Sequence, residues 1–263
     1  MFATFFCNGI LFGNSNARVT EPMGRIAGMA AVIGAPAMAL AMLLLAAPAG
    51  SQETVDLKLV LAVDASGSVD TQEYDLQLSG IAMALRDPAV LKAIAAGRNG
   101  RIAINVVTWA EHQVPKVALG WHIVANAADA GNLAAAIENM GRTANGATGM
   151  GEGLAAALRL LEDPAIMAPR EVVDISGDGA ETPARDYVVL MPQARSMAMA
   201  RGVTVNGLAI LGSEMGLAEW YQANVLTGRD SFLEIATGYE SVAKAMKRKL
   251  LREIEPLPRL SQR

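Results

Sequence analysis

Val60-Leu61-Ala62-Val63-Asp64-Ala65-Ser66-Gly67-Ser68-Val69-Asp70 is the stretch on which the reading of this chain turns. The apolar run Leu57–Val63 ends abruptly in an acid and two hydroxyls. A continuous apolar run of this length, bounded by turn residues, reads as a strand buried on both faces. Its carboxyl end is therefore where the chain first meets solvent, and in an open α/β sheet that edge is where ligands bind. Alternate residues of an extended segment point the same way, so Asp64, Ser66 and Ser68 can converge on one point. All three offer hard oxygen donors, which suit Mg²⁺, Mn²⁺ or Ca²⁺. Taken alone, the same residues also fit a helix cap and a turn.

The totals narrow the possibilities. The chain has 263 residues, of which 52% are hydrophobic, enough for a sizeable core. Its net charge is −4, which argues against a nucleic-acid binder with a strongly basic surface. Cys7 is the one cysteine, so no intramolecular disulfide can form, and His112 and His122 are too few for a multi-histidine zinc site. Residues 1–22 differ in composition from the rest. Met23-Gly24-Arg25, the uncharged Ile26–Ala47 and the small-residue exit Ala47-Pro48-Ala49 have the layout of a secretory signal peptide. On this reading residues 1–22 are an upstream extension, 23–49 the signal peptide and 50–263 a single domain, exported to the periplasm or the medium. An uncleaved membrane anchor is the alternative, weakened by Gly34 and Pro36.

Beyond the polar lead-in 50–56, strands and helices alternate. Asp70-Thr71-Gln72-Glu73 has capping-box spacing ahead of a helix to Leu85, and Ala89–Ala96 reads as a short helix. Ile102–Trp109 is a strand, and Val114–Leu119 a further strand at an edge, because of Pro115. Helices follow at 129–140 and 150–161, with the loop 141–149 between them. Glu171–Ile175 is a strand ending in Ser176-Gly177-Asp178-Gly179. A helix within 185–201 starts late because of Pro192. A strand at 203–211, a helix at 215–224, a strand at 231–236 and a helix at 239–254 complete the chain. This alternation predicts a doubly wound α/β fold, a mostly parallel sheet flanked by helices.

Asp178 repeats the logic of Asp64 at the end of a second buried strand, and Thr148 sits in Gly146-Ala147-Thr148-Gly149, just before a helix. Here Asp64-Ala65-Ser66-Gly67-Ser68 resembles the D-x-S-x-S motif of von Willebrand factor A domains, with Thr148 and Asp178 at the places of that family's separate threonine and aspartate. The resemblance covers about residues 55–254. Val107-Thr108-Trp109-Ala110, Ser176-Gly177-Asp178-Gly179, Asn224-Val225 and Lys247-Arg248-Lys249-Leu250 are similar to a secreted bacterial branch of the family.

The resemblance implies the doubly wound, Rossmann-like fold and a metal-ion-dependent adhesion site of Asp64, Ser66, Ser68, Thr148 and Asp178. The three hydroxyls would touch the cation, and the two carboxylates would act mainly through water. Neutral hydroxyl ligands leave a dication in need of an outside anion. The expectation is therefore a non-enzymatic module that holds Mg²⁺ (or Mn²⁺ or Ca²⁺) and grips an Asp or Glu of a protein partner. No nucleic acid and no stable membrane insertion are expected after signal cleavage. A metal-dependent hydrolase using the same cation is the alternative, handicapped by the lack of an evident base. A cytoplasmic subunit of an ATP-driven assembly is opposed by the export signal.

Other signals read as structural. Gly151-x-Gly153-x-x-Ala156 lacks the preceding strand of a dinucleotide fingerprint. His112 is expected on a surface turn, His122 beside Trp121, and both as structural or solvent-exposed. Lys244, Lys247, Arg248, Lys249 and Arg252 read as the solvated basic end of the last helix.

Overall fold

The computed structural model describes residues 52–184, 188–212 and 214–255; the predicted extension and signal segment lie outside them. The strands are β1 (Glu53–Thr54), β2 (Lys58–Asp64), β3 (Ile102–Trp109), β4 (Val117–Ala118), β5 (His122–Val124), β6 (Ile166–Met167), β7 (Glu171–Gly177), β8 (Thr204–Ile210) and β9 (Leu233–Ala236). The helices are α1 (Thr71–Leu85), α2 (Pro88–Ala95), α3 (Ala127–Glu138), α4 (Met150–Leu160), α5 (Met191–Arg201), α6 (Leu217–Asn224) and α7 (Val242–Ile254). No helix among the described residues is long and apolar enough to cross a membrane.

The main sheet has the order β4-β3-β2-β7-β8-β9, with β5 also on β3. The pairs β3-β2, β2-β7, β7-β8 and β8-β9 are parallel, while β4 and β5 run antiparallel to β3. Every residue of β2 and β3 is buried, as two-sided coverage by crossover helices requires. One face packs on α1, α2, α3 and α7, the other on α4, α5 and α6. Asp70 caps α1: its Oδ1 accepts the Glu73 amide, and Glu73 Oε2 accepts the Asp70 amide, both at 2.8 Å.

Four expectations need correction. The strand expected at Val114–Leu119 shrinks to Val117–Ala118, because Lys116 folds back and donates to the carbonyls of Glu111, His112 and Val114. The lead-in 50–56 is not merely polar: Glu53 and Thr54 pair in parallel with Ile166 and Met167. The last helix opens with a 3₁₀ turn at Tyr239–Ser241. Finally, Lys249 is not solvated. It falls on the same helical stripe as Val242, Met246, Leu250 and Glu253, all buried.

The burial of Lys249 is compensated. Its Nζ lies 3.1 Å from Asp174 Oδ1 on β7 and 3.1 Å from Glu253 Oε1, and 4.6 Å above the Phe232 ring. Asn206 on β8 donates to the same Glu253 oxygen at 2.9 Å. Burial pushes the Asp174 carboxyl up, Lys249 pulls it back, and Glu253 pushes it up again. Polar ties thus pin α7 to β7 and β8. At the same end of the sheet Lys58, also buried, donates to the carbonyls of Leu161, Asp163 and Ile166.

The glycines of α4 are explained by packing. A Cβ on Gly153 would stand 2.7 Å from the Trp109 ring, and one on Gly151 2.4 Å from the Leu190 backbone. They bring α4 down onto β3 and the start of α5.

Removing one partner of a buried ion pair leaves an uncompensated charge. Lys249→Ala is expected to lower unfolding free energy by about 3–5 kcal/mol in urea denaturation. Lys247→Ala, which breaks a partly exposed pair with Asp87, is expected to shift the urea midpoint far less than Lys249→Ala.

Candidate metal centre

β2 and β7 are adjacent and parallel, with Val63 opposite Ser176. The residues following both strands therefore emerge on one edge of the sheet. Asp64 is fully buried there, Ser66 is buried, Ser68 exposed, and Asp178 8% exposed. The Ser66 amide donates to Asp64 Oδ1 at 2.7 Å. Ser66 Oγ and Ser68 Oγ are 3.3 Å apart, and Ser68 Oγ donates to Asp178 Oδ1 at 2.6 Å. Four of the five expected residues are thus joined in one hydrogen-bonded chain.

Thr148 comes in from the α3–α4 loop. The Gly67 amide donates to the Gly146 carbonyl at 2.7 Å, which ties that loop to the first. Thr148 itself is held by Thr182. The Thr182 amide donates to the Thr148 carbonyl at 3.0 Å, and the Thr148 amide donates to Thr182 Oγ1 at 3.3 Å. A Cβ on Gly149 would stand 2.6 Å from the His112 amide nitrogen and 2.7 Å from the Ala110 carbonyl oxygen, so only glycine lets the loop pass. Thr148 Oγ1 ends 3.8 Å from where a Gly179 Cβ would lie.

The electrostatics are unusual for surface-bound acids. Burial pushes the Asp64 carboxyl up to about 7, against the Ser66 hydroxyl and amide, which pull it down, and Asp178, which pushes it further up. Asp64 Oδ2 is buried without a hydrogen-bond partner, as is the Tyr221 hydroxyl. A Cβ on Gly177 would stand 2.6 Å from the one and 2.8 Å from the other. Glycine at 177 is what allows β7 to pass this close to Asp64.

The residues fit a hard cation by their chemistry. The Ser68 hydroxyl proton is committed to Asp178 and leaves lone pairs on Oγ. Two oxygens on neighbouring vertices of a shell at 2.0–2.1 Å are about 2.9 Å apart, and at 2.3–2.6 Å about 3.3–3.7 Å apart. The observed serine pair lies within a small adjustment of both. Among the described residues no group of three or more His, Cys, Asp or Glu forms a metal cluster, so any cation here rests largely on hydroxyl donors.

Several residues that shape the site gave little sign of it in the sequence. Arg142 donates to the Ser66 carbonyl at 2.7 Å and so braces the D-x-S-x-S turn. Glu181 accepts from the Gly151 amide at 2.8 Å and the Met191 amide at 2.9 Å, capping α4 and α5 together. Their own N-cap residues, Gly149 and Leu190, supply no side-chain cap, and that lack was the available signal. His112 is not on an open turn: it is buried, with Nε2 3.0 Å from the Thr182 carbonyl oxygen. Beside the site runs a groove of about 650 Å³, lined among others by Ser68, Asp70, Glu73, Asp178, Tyr239 and Glu240.

Comparison with known proteins agrees with this architecture. Residues 54–258 match a family described as "protein of unknown function" (DUF1194). No curated protein matches the sequence. Among solved structures, the chain is similar to proximal thread matrix protein 1 of the mussel byssus with a zinc-occupied MIDAS motif, at TM-score 0.53 and 18% identity, over 76% of this chain and 46% of that one. It is similar to the pilus adhesin SpaC of Lactobacillus rhamnosus GG at TM-score 0.55 and 14% identity, over 78% of this chain and 31% of that one. The von Willebrand factor domain of the type V pili tip protein Mfa5 of Porphyromonas gingivalis matches at TM-score 0.51 and 14% identity, over 76% of this chain and 95% of that one. The chain spans less than half of the mussel and SpaC chains. The match over residues 54–258 places the chain in the DUF1194 family, and its fold is that of a von Willebrand factor A domain.

Proposed function

We propose that this protein is an exported, non-enzymatic adhesion module that holds one divalent cation on Ser66, Ser68 and Thr148, with Asp64 and Asp178 behind them. The observation that carries the reading is the serine pair, 3.3 Å apart, with Ser68 hydrogen-bonded to Asp178. Mg²⁺ is the preferred ion, since it keeps several waters, one of which can be exchanged for a partner's carboxylate. Bound there, a cation supplies a positive charge that its hydroxyl ligands do not neutralise. The protein's own residues fix the hydroxyls through the Ser68–Asp178 bond and the hold of Thr182 on Thr148. The partner then supplies an Asp or Glu. Residues 23–49 would be the export signal, residues 1–22 an upstream extension and residues 50–263 the mature domain. The neighbours named above as a matrix protein, a pilus adhesin and a pilus-tip domain are consistent with this. No observation favours the hydrolase: His112 is occupied by the Thr182 carbonyl, and His122, on β5, pairs with Ile104 of β3, well back from the carboxyl end of that strand.

Calorimetric titration with Mg²⁺, Mn²⁺ and Ca²⁺ is expected to show one saturable site, abolished in Asp64→Ala. Unchanged binding in that variant would refute the assignment. Thr182→Val removes the acceptor of the Thr148 amide and is expected to weaken the cation about tenfold, with Thr182→Ser restoring it.

The buried Asp64 also predicts a pH effect. Its folded pKa is raised, so its contribution to the stability of the metal-free protein is fully present below about pH 3.9 and is lost as pH rises through about 7. Thermal melts of metal-free wild type and Asp64→Asn are expected to diverge with rising pH, with the variant the more stable above pH 7. Saturating Mg²⁺ is expected to stabilise wild type alone.

A further inference from the structure

Glu214 lies in the link between β8 and α6 and is none of the five residues assigned to the cation. Its Oε2 nevertheless reaches the site, accepting the Ala180 amide at 2.7 Å, two residues beyond Asp178. Gly179 lies between. A Cβ at Gly179 would stand 3.4 Å from Glu214 Oε2 and 3.8 Å from Thr148 Oγ1. The carboxylate and the threonine hydroxyl therefore flank the same glycine, with no side chain to separate them. Glu214 is exposed, and among the described residues it forms no ion pair. Its field acts on the same interior: after burial, the Tyr221 phenol is pushed up by Asp64, Asp178, Asp174 and Glu214.

We infer that Glu214 is an internal carboxylate standing on the approach to the cation beside Thr148 and Asp178, which an acidic partner must displace. The inference rests on the cation reading above. Two carboxylates approaching one side of the same ion repel each other, and Glu214 is the one already tethered, by a charge-assisted bond to Ala180. It is hung on one described hydrogen bond and reaches solvent, so side-chain rotation alone would clear the approach. The consequence is selectivity. A lone carboxylate competes poorly, and a partner that also makes contacts along the neighbouring groove competes well.

The test uses Mn²⁺ as the ion and acetate as the carboxylate. Water-proton relaxation of the Mn²⁺-loaded protein reports exchangeable water on the ion, and acetate that replaces this water lowers the signal. Glu214→Gln keeps an acceptor for the Ala180 amide and removes the charge. It is expected to lower the half-effect acetate concentration about fivefold, with Mn²⁺ affinity weakened at most about threefold because the carboxylate is exposed and screened. Asp230→Asn removes the same charge near the far edge of the sheet, at a position whose φ of 61° suits asparagine; it is expected to leave the acetate midpoint within about twofold of wild type. Equal midpoints in wild type and Glu214→Gln, with Mn²⁺ bound to both, would overturn this inference alone. Equal shifts in Glu214→Gln and Asp230→Asn would overturn it as a general charge effect. Failure of wild type to bind Mn²⁺ would overturn the cation reading and this inference together.

Discussion

Asp64 is a carboxylate fully buried at the end of a strand, and the rest of the site is arranged around that constraint. Ionising it in the interior is costly, and only one of its oxygens finds a protein donor, the Ser66 amide. The turn Ala65–Ser68 is accordingly held from several directions. Arg142 braces the Ser66 carbonyl, Gln77 donates to the Asp64 carbonyl at 3.2 Å, and the Gly67 amide is bound to Gly146. A hydroxyl pair held this firmly suits an ion whose coordination shell tolerates little distortion.

Segment 177–182 acts as the joint between the pieces. Gly177 makes room for Asp64, Asp178 accepts the Ser68 hydroxyl hydrogen bond, Ala180 anchors Glu214, Glu181 caps two helices and Thr182 holds Thr148. Six consecutive residues connect β7 to α4, α5 and the loops at the strand ends. A small displacement of this segment moves Thr148 and Asp178 together, since close-packed elements transmit strain rather than absorb it. The opposite end of the sheet is pinned differently. There Lys58 and Lys249 are buried among carbonyls and carboxylates, and they fix the α4–β6 turn and α7.

Most of the architecture was legible in the chain because apolar runs and turn residues report burial and reversal locally. β2 and β3, buried throughout, stand out as runs made mostly of aliphatic and β-branched residues, and Asp70 with Glu73 marks the start of α1 by spacing alone. The short pieces were not legible. β1 and β6 are two residues each and exist only through pairing with one another. The interior place of Lys249 was hidden because its type suggested solvent, while Asp174, which pairs with it, and Asn206, which binds its other partner Glu253, come from strands distant in the chain.

For the candidate site the division is similar. Asp64, Ser66, Ser68, Thr148 and Asp178 were readable as polar residues at the ends of apolar runs and in a glycine-rich loop, and the parallel order of the strands was implied by their alternation with helices. The sequence by itself determined the fold class, the edge of the sheet at which these residues emerge and the hydroxyl character of their donor set, because strand periodicity and residue chemistry are local properties. Only the tertiary structure decided that Thr182, Glu181, Arg142, His112 and Glu214 surround them. Those contacts join residues 30 to 76 positions apart in the chain, and hydrogen bonds at such separations exist only once packing has brought the loops together.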